Sequence, residues 1–282
     1  MNATTQHSET ASDEWGVDEL DLDAYLDRIG QSRSEPSAAA LTALHEAHVR
    51  TIPFENIDPL LGTSPTLELT AISAKLVQRD RGGYCYEHGL LFAAALERLG
   101  YRVTRLAARV NPDKPGPKTH LNLVVRADGA DHLVDVGFGA GVLRPMQLRD
   151  GVVVDQGGWK HRLTRDGRYW RLEKQTADGW SALHAFDDTP QHQIDYEVFN
   201  HYVATHPRSP FTGQLVVMRL DDGISRKLLG NRLITEYADG RTEESRVPPE
   251  QLAATLRELD IVLDPAELDA LLQLYPDPAE SH

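Results

Sequence analysis

Apolar residues in the first third of the chain recur at intervals of three and four positions, the spacing of amphipathic helices. This spacing predicts helices over residues 22–30 and 37–50, within a helical region that extends from residue 20 to residue 78. A continuous apolar run at residues 90–96 follows two glycines and precedes Gly100. That context predicts a buried helix that opens from a tight turn and ends at the glycine.

Beyond residue 102 the pattern changes to short segments in which apolar and polar residues alternate, with Asp-Gly pairs between several of them. The predicted strands are residues 103–110, 119–125, 133–137 and 169–173. Regular short strands with such turns favour a barrel or a sandwich. After residue 214, strands at 215–220 and 232–237 and helices at 249–259 and 265–274 predict a smaller α/β unit.

Composition and charge exclude several classes of function. A chain of 282 residues can form about one to three compact units with ample cores. Its 29 Lys and Arg residues against 43 Asp and Glu residues give a net charge of −14. This balance argues against a general binder of nucleic acid or anionic membranes, because phosphate groups require a basic surface. The segment before residue 17 is rich in Ser, Thr, Asp and Glu and is predicted to be a disordered tail.

The sequence also predicts a location. No apolar stretch approaches the length of a membrane span, and no signal-peptide core follows Met1. The chain has one cysteine, so it cannot be held together by internal disulfides. These features predict a cytoplasmic protein and leave its oligomeric state open.

The single cysteine carries the first chemical signal. Cys85 lies in the segment Arg81-Gly82-Gly83-Tyr84-Cys85-Tyr86-Glu87-His88-Gly89, and the glycine turn places it in the first turn of the buried helix. Free N–H groups and the positive end of the helix dipole stabilise a thiolate at that position. Cys85 is therefore a candidate nucleophile, provided that a base lies within reach.

A predicted hairpin follows the helix. Residues 118–125 alternate between polar and apolar types, Asp128-Gly129 is a turn signal, and residues 132–137 return as a second strand. A two-residue turn at Asp128-Gly129 determines which residues face each other across the two strands.

The register of this hairpin brings two candidate catalytic groups together. Asp135 lies opposite Asn122 and one step diagonal to His120, with all three side chains on one face. A carboxylate within an apolar run is costly to bury without a partner, and His120 supplies one. Cys85, His120 and Asp135 then serve as nucleophile, general base and the group that orients the base.

The other histidines predict no metal site. His184, His192, His201 and His206 lie in a polar stretch that is predicted to be loop-rich, without regular ligand spacing. Zinc sites favour thiolates and regularly spaced histidines, so no metal is predicted. The glycine-rich segment 137–141 follows a strand but does not lead into a helix, so no dinucleotide site is predicted.

Several motifs resemble those of the arylamine N-acetyltransferase family. They are Pro53-Phe54-Glu55-Asn56-Ile57-Asp58, Arg81-Gly82-Gly83-Tyr84-Cys85-Tyr86-Glu87, Thr119-His120, Val134-Asp135-Val136-Gly137-Phe138-Gly139 and Ser209-Pro210-Phe211-Thr212. The cysteine block and the Asp-Val-Gly-Phe-Gly block at this separation are the specific part of the signal. The resemblance extends from about residue 22 into the C-terminal region. Gly89 and Ala140 depart from the residues common in the family, and neither belongs to the proposed triad.

The resemblance implies an α+β fold with an N-terminal helical bundle, a central β-barrel and a C-terminal α/β lid. Its core is similar to that of transglutaminases and papain-like cysteine proteases. On this basis residues 1–16 are the tail, residues 17–100 the helical domain with Cys85, residues 101–204 the barrel domain with His120 and Asp135, and residues 205–282 the lid domain.

The resemblance also implies roles for individual residues. Cys85, His120 and Asp135 form the catalytic triad. The acceptor pocket is lined by Phe54, Phe138 and Phe211. The contacts to the pantetheine arm of CoA are Tyr86, Thr119, Phe138 and Gly139.

The implied activity is a ping-pong transfer of an acetyl group from acetyl-CoA to an arylamine or arylhydrazine. Acetyl-CoA is a substrate in this reaction, and no tightly bound cofactor is expected. Because CoA is an anion, a local basic patch is required within the acidic protein. The candidates are Arg208, Arg219, Arg226, Lys227 and Arg232.

Three alternatives remain open from the sequence. An amide synthase that releases or cyclises a polyketide from a carrier protein would use the same triad. A thiol hydrolase or peptidase would also use it, but with an open cleft. A non-catalytic binding module is disfavoured by the intact triad.

Overall fold

The computed structural model describes residues 14–139 and 141–275. In these ranges a short 3-10 turn at Val17–Glu19 precedes the helices α1 (Leu22–Arg28), α2 (Ala38–Thr51), α3 (Ile57–Leu60), α4 (Leu69–Leu76), α5 (Cys85–Arg98), α6 (Gln193–Thr205), α7 (Pro249–Glu258) and α8 (Pro265–Leu274). In the part of the chain described, no helix has the length and apolar character needed to cross a membrane.

Within the described ranges, the strands comprise one two-residue strand near the N-terminus, a series of eight in the middle of the chain and a group of four toward the C-terminus. They are β1 (Phe54–Glu55), β2 (Arg102–Val110), β3 (His120–Ala127), β4 (Ala130–Val134), β5 (Met146–Gln147), β6 (Val153–Asp155), β7 (Lys160–Asp166), β8 (Tyr169–Thr176), β9 (Gly179–Pro190), β10 (Val216–Asp221), β11 (Ile224–Leu229), β12 (Arg232–Tyr237) and β13 (Thr242–Arg246).

The central strands form one barrel-like antiparallel sheet. Its order is β5-β4-β3-β2-β9-β8-β7-β6, so β2 lies between β3 and the long strand β9. The interior of this sheet is filled by apolar side chains such as Leu106, Leu133, Leu163 and Phe186. The sheet therefore has its own core, as the alternating sequence pattern predicts.

The late strands form a second antiparallel sheet in the order β1-β10-β11-β12-β13. Its edge strand β1 comes from the helical region, and Phe54 pairs with Met218 of β10. The helices α7 and α8 contribute to the core on this sheet, with Leu252, Leu256 and Leu271 buried in it. The C-terminal unit is thus an α/β structure joined to the N-terminal unit through β1.

The largest core connects the helical bundle with the barrel. It contains the apolar face of α5, including Leu91 and Phe92, together with Leu121 and Leu123 of β3. Tyr196 and Val203 of α6 belong to the same core. This packing presses the start of α5 against the hairpin β3–β4.

The arrangement confirms the predicted α+β class with a helical bundle, a barrel-like sheet and a C-terminal α/β unit. Most predicted elements are present with bounds shifted by a few residues, and β12 and α8 match the prediction. One expectation was wrong, since residues 54–55 lie within the region predicted to be helical and form a strand. Their pairing with β10, which is remote in sequence, outweighs the local pattern.

Part of the predicted disordered tail, residues 1–13, lies outside the described residues. Trp15 is half-buried with its ring 5.9 Å from that of Tyr196, and the guanidinium of Arg105 lies 4.2 Å from the centre of the Trp15 ring. Glu14 accepts a hydrogen bond from the backbone N–H of Gln193 at 2.9 Å. The described chain therefore makes tertiary contacts from residue 14 onward, while the remaining domain boundaries stay predictions.

Candidate active site

The turn before Cys85 requires glycine because the backbone passes close to the segment 53–55. A Cβ atom on Gly82 would lie 1.9 Å from the carbonyl oxygen of Pro53. The N–H of Glu55 donates to the carbonyl of Gly83 at 2.8 Å, which joins the two segments. Cys85 is the first residue of α5 and is buried. The predicted position of the thiol at the helix start is thus confirmed.

Buried ion pairs hold this turn in place. The guanidinium of Arg81 lies 2.8 Å from Glu55, 2.8 Å from Asp58 and 2.6 Å from Glu267 of α8. Removal of the Arg81 guanidinium would take from these carboxylates, including the fully buried Glu55, the cation that they share, which is strongly destabilising at low dielectric. Arg81 therefore links the cysteine turn, the Pro-Phe-Glu-Asn segment and the C-terminal unit.

The same segment also positions the loop that carries Phe211. The side-chain amide of Asn56 donates to the carbonyl of Phe211 at 2.9 Å and to that of Gln214 at 2.8 Å. Its oxygen accepts from the N–H of Val216 at 2.7 Å. One buried side chain thus satisfies three backbone groups of the connection into β10.

The hairpin has the register that its turn predicts. Ala127 faces Ala130 and Leu123 faces Val134, so Asp135 follows the last paired residue of β4. His120 Nε2 lies 2.8 Å from Asp135 Oδ2, and both side chains are buried. The predicted contact between the imidazole and the carboxylate is confirmed.

Electrostatics at this contact favour a charged imidazole. Burial by itself lowers the pKa of His120, but the charge of Asp135 and hydrogen bonds to Asp135 and Cys85 raise it to about 10. Burial by itself raises the pKa of Asp135, but His120 and His184 together hold it well below its usual range. Because Nε2 of His120 is hydrogen-bonded to Asp135, Nδ1 is the ring nitrogen that is available to accept the proton of the Cys85 thiol.

The loop after Asp135 lies directly over the start of α5. A Cβ atom on Gly137 would lie 2.8 Å from the Cα and 2.9 Å from the carbonyl oxygen of Cys85. Only glycine permits this approach, and the approach sets the distance between the thiol and the hairpin. The Asp-Val-Gly-Phe-Gly motif therefore has a packing role in addition to supplying the carboxylate.

His184 was wrongly predicted to lie in a polar loop. It is a fully buried residue of β9, and its Nε2 lies 3.0 Å from Asp135 Oδ2. The ring centres of His184 and His120 are 5.2 Å apart. No sequence signal distinguishes it from the other histidines, because the long crossing of β9 beside β2 brings it to the site.

His120, Asp135 and His184 also form the kind of cluster that can hold a metal, with their donor atoms within 4.8 Å of one another. The two histidine nitrogens both contact the same carboxylate oxygen, so hydrogen bonds account for the arrangement. The other three histidines of the rejected zinc site lie on or beside α6 and take no part in this cluster.

A chain of hydrogen bonds lies behind the thiol. The hydroxyl of Tyr25 donates to His48 Nδ1 at 2.9 Å, His48 Nε2 lies 2.8 Å from His88 Nδ1, and His88 Nε2 lies 3.1 Å from the carbonyl of Pro53. Burial lowers the pKa of His88 to about 4, so its ring is neutral at physiological pH. The ring of Phe54 stacks on His88 at 6.3 Å, and the chain thereby supports one wall of the site.

A cavity of about 490 Å³ opens in front of the thiol. Cys85 and His120 line it together with the three aromatic residues that the sequence predicts, Phe54, Phe138 and Phe211. The rings of Phe54 and Phe211 are 5.7 Å apart, and that of Phe138 is 5.1 Å from His120. The structure thus brings Cys85, His120 and the predicted acceptor aromatics to one cavity, with Asp135 in contact with His120 but not among the lining residues.

Of the residues predicted to contact the pantetheine arm of CoA, some line the cavity and others do not. Thr119 lines the cavity, and its carbonyl lies 3.8 Å from the sulfur of Cys85. Tyr86 is fully buried behind the thiol and donates its hydroxyl to that same carbonyl at 2.9 Å. Gly139 packs against Met218 and is not among the lining residues. Of these residues, Thr119 and Phe138 are the ones placed to touch a ligand.

The basic residues predicted to form a patch for CoA likewise differ in whether they line the cavity. Lys227 lines the cavity, whereas the guanidinium of Arg219 contacts Asp260 and that of Arg232 lies 2.7 Å from Glu244. A second cavity lysine, Lys174 of β8, was missed. Its position in a strand gives no sequence signal that it faces the site.

A thiol at a helix start, beside an imidazole held by a carboxylate, is the arrangement that cysteine nucleophiles use in acyl transfer. A family model described as N-acetyltransferase matches residues 37–267. The arylamine N-acetyltransferase of Mycolicibacterium smegmatis is 44% identical over 239 residues, which cover 80% of this chain and 86% of that protein.

Solved structures give the same result. The arylamine N-acetyltransferase of Nocardia farcinica has a TM-score of 0.85 at 43% identity, covering 92% of this chain and 95% of that chain. The Mycobacterium marinum arylamine N-acetyltransferase in complex with CoA has a TM-score of 0.84 at 36% identity, covering 90% and 99%.

The similarity to these proteins covers most of the chain and shows that the protein is an acyltransferase. More narrowly, the chain belongs to the arylamine N-acetyltransferase family.

Proposed function

We propose that the protein transfers an acetyl group from acetyl-CoA to aromatic amines and hydrazines through an acetyl-cysteine at Cys85. The observation that carries this proposal is the contact between His120 and Asp135 at the wall of an aromatic cavity that also contains the thiol. The names of the relatives, and the CoA complex of the Mycobacterium marinum enzyme, support the choice of donor and acceptor.

In the first half-reaction His120 takes the proton of the Cys85 thiol. The raised pKa of His120 favours the resulting pair of thiolate and imidazolium. The thiolate attacks the thioester carbonyl, the bond to the CoA sulfur breaks, and the imidazolium returns a proton to the departing CoA thiolate. Asp135 holds the imidazolium during these steps.

In the second half-reaction an aromatic amine enters the same cavity. Its nitrogen attacks the acetyl-cysteine carbonyl while His120 takes a proton from the nitrogen. The carbon–sulfur bond breaks, and Cys85 is regenerated as the thiolate. The apolar walls exclude water, so the acetyl-cysteine persists until an amine arrives.

The acceptor should be an amine of low basicity. Alkylamines with a pKa of about 10 are almost entirely protonated at neutral pH, and a cation is costly to desolvate among the aromatic walls. An arylamine is neutral, and its ring gains from burial. We therefore expect acetylated enzyme to discharge to aniline or phenylhydrazine much faster than to butylamine or to water, as followed by intact-protein mass spectrometry.

The same experiment separates the alternatives. Equal discharge to butylamine would indicate a transglutaminase-like acceptor preference, and rapid loss of the acetyl group in buffer alone would indicate a hydrolase. An acyl-enzyme that resists all small amines but discharges with a carrier-bound polyketide would indicate an amide synthase.

The cytoplasmic location stays a prediction.

A further inference from the structure

A fully buried histidine of the helical bundle contacts the loop that follows the catalytic hairpin. His45 lies in α2, and its Nε2 receives a hydrogen bond from the backbone N–H of Asp135 at 3.2 Å. Its Nδ1 lies 2.9 Å from the carbonyl oxygen of Leu143. One imidazole therefore bonds to the backbone on both sides of the glycine-rich segment 137–141.

The two partners determine the protonation state of His45. A backbone N–H can only donate, so Nε2 must offer a lone pair, and a carbonyl oxygen can only accept, so Nδ1 must carry the proton. The ring is then neutral. Burial lowers the pKa of His45 to about 4, which agrees with a neutral ring at physiological pH. Both ring nitrogens are thus engaged by backbone groups.

The bond to Asp135 lies at the point where the sheet stops holding this strand. The pairing of β3 and β4 ends at Leu123 and Val134, so the N–H of Asp135 donates outside the ladder, to His45. The carboxylate of Asp135 lies 2.8 Å from His120 Nε2. Because the peptide group is planar, the bond that orients the N–H of Asp135 also helps to set the direction of its side chain.

The other partner of His45 is itself anchored. The N–H of Leu143 donates to Oε1 of the buried Gln156 at 2.8 Å, while its carbonyl accepts from His45. The ring of His45 also packs edge-on against Phe92 of α5, with the ring centres 5.9 Å apart. Since α5 begins at Cys85, the imidazole connects the helix of the nucleophile with the loop of the carboxylate.

We propose that His45 is a positioning residue for acetyl transfer, which holds the backbone of Asp135 so that its carboxylate meets His120. This inference rests on the proposed function and adds a residue to its mechanism. His45 acts through Asp135, since its nitrogens bond to backbone groups and not to the reacting atoms.

Two amide side chains each reproduce one half of the imidazole. His45→Gln puts a carbonyl oxygen near the place of Nε2, so it can accept from Asp135 but loses the bond to Leu143. His45→Asn puts an N–H near the place of Nδ1, so it can donate to Leu143 but leaves the N–H of Asp135 without a partner. Each variant loses one buried hydrogen bond, and the two therefore form a pair matched in stability.

We expect His45→Asn to slow the acetylation of Cys85 by acetyl-CoA by about tenfold or more, the factor that corresponds to one buried hydrogen bond. An N–H without a partner favours conformations that turn the carboxylate of Asp135 away from His120. His45→Gln should keep most of the wild-type rate. Single-turnover acetylation followed by intact-protein mass spectrometry measures both rates.

The acid side of the pH profile of Cys85 alkylation by iodoacetamide separates positioning from a loss of stability. There the rate follows the fraction of thiolate, which the His120 imidazolium stabilises while Asp135 faces it. If the carboxylate is displaced, the thiol keeps its proton to higher pH. The acid midpoint should therefore rise by up to about one pH unit in His45→Asn and stay at the wild-type value in His45→Gln.

The other charged or titrating groups near the thiol are the same in both variants. They are Lys75, Glu87 and His88 behind the start of α5, His184 beside Asp135, and Lys174 and Lys227 in the cavity. Leu41→Ala is the control for stability, because Leu41 is a buried core residue of the same helix. It should lower the melting temperature and leave the acid midpoint unchanged.

Equal rate losses in His45→Asn and His45→Gln, with the acid midpoint unchanged in both, would overturn the inference. A wild-type rate and midpoint in His45→Asn would do so as well. Should His45→Asn fail to fold, nitrogen-15 NMR of the histidine rings still decides. The ring signal that His45→Gln lacks should be that of a neutral ring with its proton on Nδ1, and a proton on Nε2 would overturn the inference.

Failure of the proposed function would look different. An absence of Cys85 acetylation in the wild type would contradict acetyl transfer itself. The alkylation midpoints and the tautomer of His45 do not depend on the acyl donor, so they test the positioning of Asp135 in either case.

Discussion

Replacement of Cys85 by alanine is expected to abolish acetyl transfer while the protein stays folded. The side chain lies at the start of α5, and its loss removes the only sulfur nucleophile in the chain. Incubation of the wild type with acetyl-CoA alone should add one acetyl mass to the peptide that contains Cys85. The Cys85→Ala variant should show neither that mass nor turnover with an arylamine.

Cys85→Ser provides the conservative comparison. A hydroxyl fits the space of the thiol but is a far weaker acid. His120 therefore cannot deprotonate the serine hydroxyl to a nucleophilic anion as it deprotonates the Cys85 thiol. We expect a loss of several orders of magnitude with little change in melting temperature. Substantial turnover in either variant, or acetylation of a different peptide in the wild type, would contradict the assignment of Cys85.

The second large effect is expected at Asp135. Asp135→Asn preserves the shape of the side chain but removes the charge that raises the pKa of His120 to about 10. The imidazolium of His120 then loses its stabilisation. The side-chain amide of the asparagine can also donate an N–H to His120 Nε2, which favours the wrong tautomer of the imidazole. We expect the acetylation rate to fall by about 10⁴-fold, the loss measured for the same change in a serine protease triad.

Asp131→Asn is the control, since Asp131 lies on the same hairpin but is exposed and pairs with Arg126 at 3.1 Å. Its rate should equal that of the wild type. The pH dependence of Cys85 alkylation gives an independent check, because the thiolate should persist to lower pH in the wild type than in Asp135→Asn. A variant Asp135→Asn with near-normal acetylation would remove the carboxylate from the mechanism.

Local signals were sufficient for much of the site. The glycine turn and the apolar run after it place Cys85 at a helix start, because both signals act over adjacent residues. The Asp-Gly turn sets the register that joins His120 to Asp135, since the side chains of a strand alternate with a period of two. The resemblance of short motifs supplied the aromatic residues of the cavity, which periodicity alone could not distinguish from core.

Other features depend on contacts between distant segments. Phe54 and Glu55 form a strand because β10 is available to pair with them, although the local pattern indicates helix. Tyr86 follows the nucleophile in sequence, yet the turn of the helix buries it behind the thiol. The packing role of Gly137 appears only when the loop after β4 is set on the backbone of Cys85.

The sequence by itself determined the helix start, the hairpin register and the order of thiol, imidazole and carboxylate, because each depends on neighbours within one or two elements. Only the tertiary structure decided that His184 meets Asp135 and that Lys174 and Lys227 share the catalytic cavity. These residues lie on β8, β9 and β11, and no local pattern records which side chains two separate sheets turn toward one cavity. Their positions follow from how the barrel-like sheet and the C-terminal sheet meet the helical bundle in one shared core.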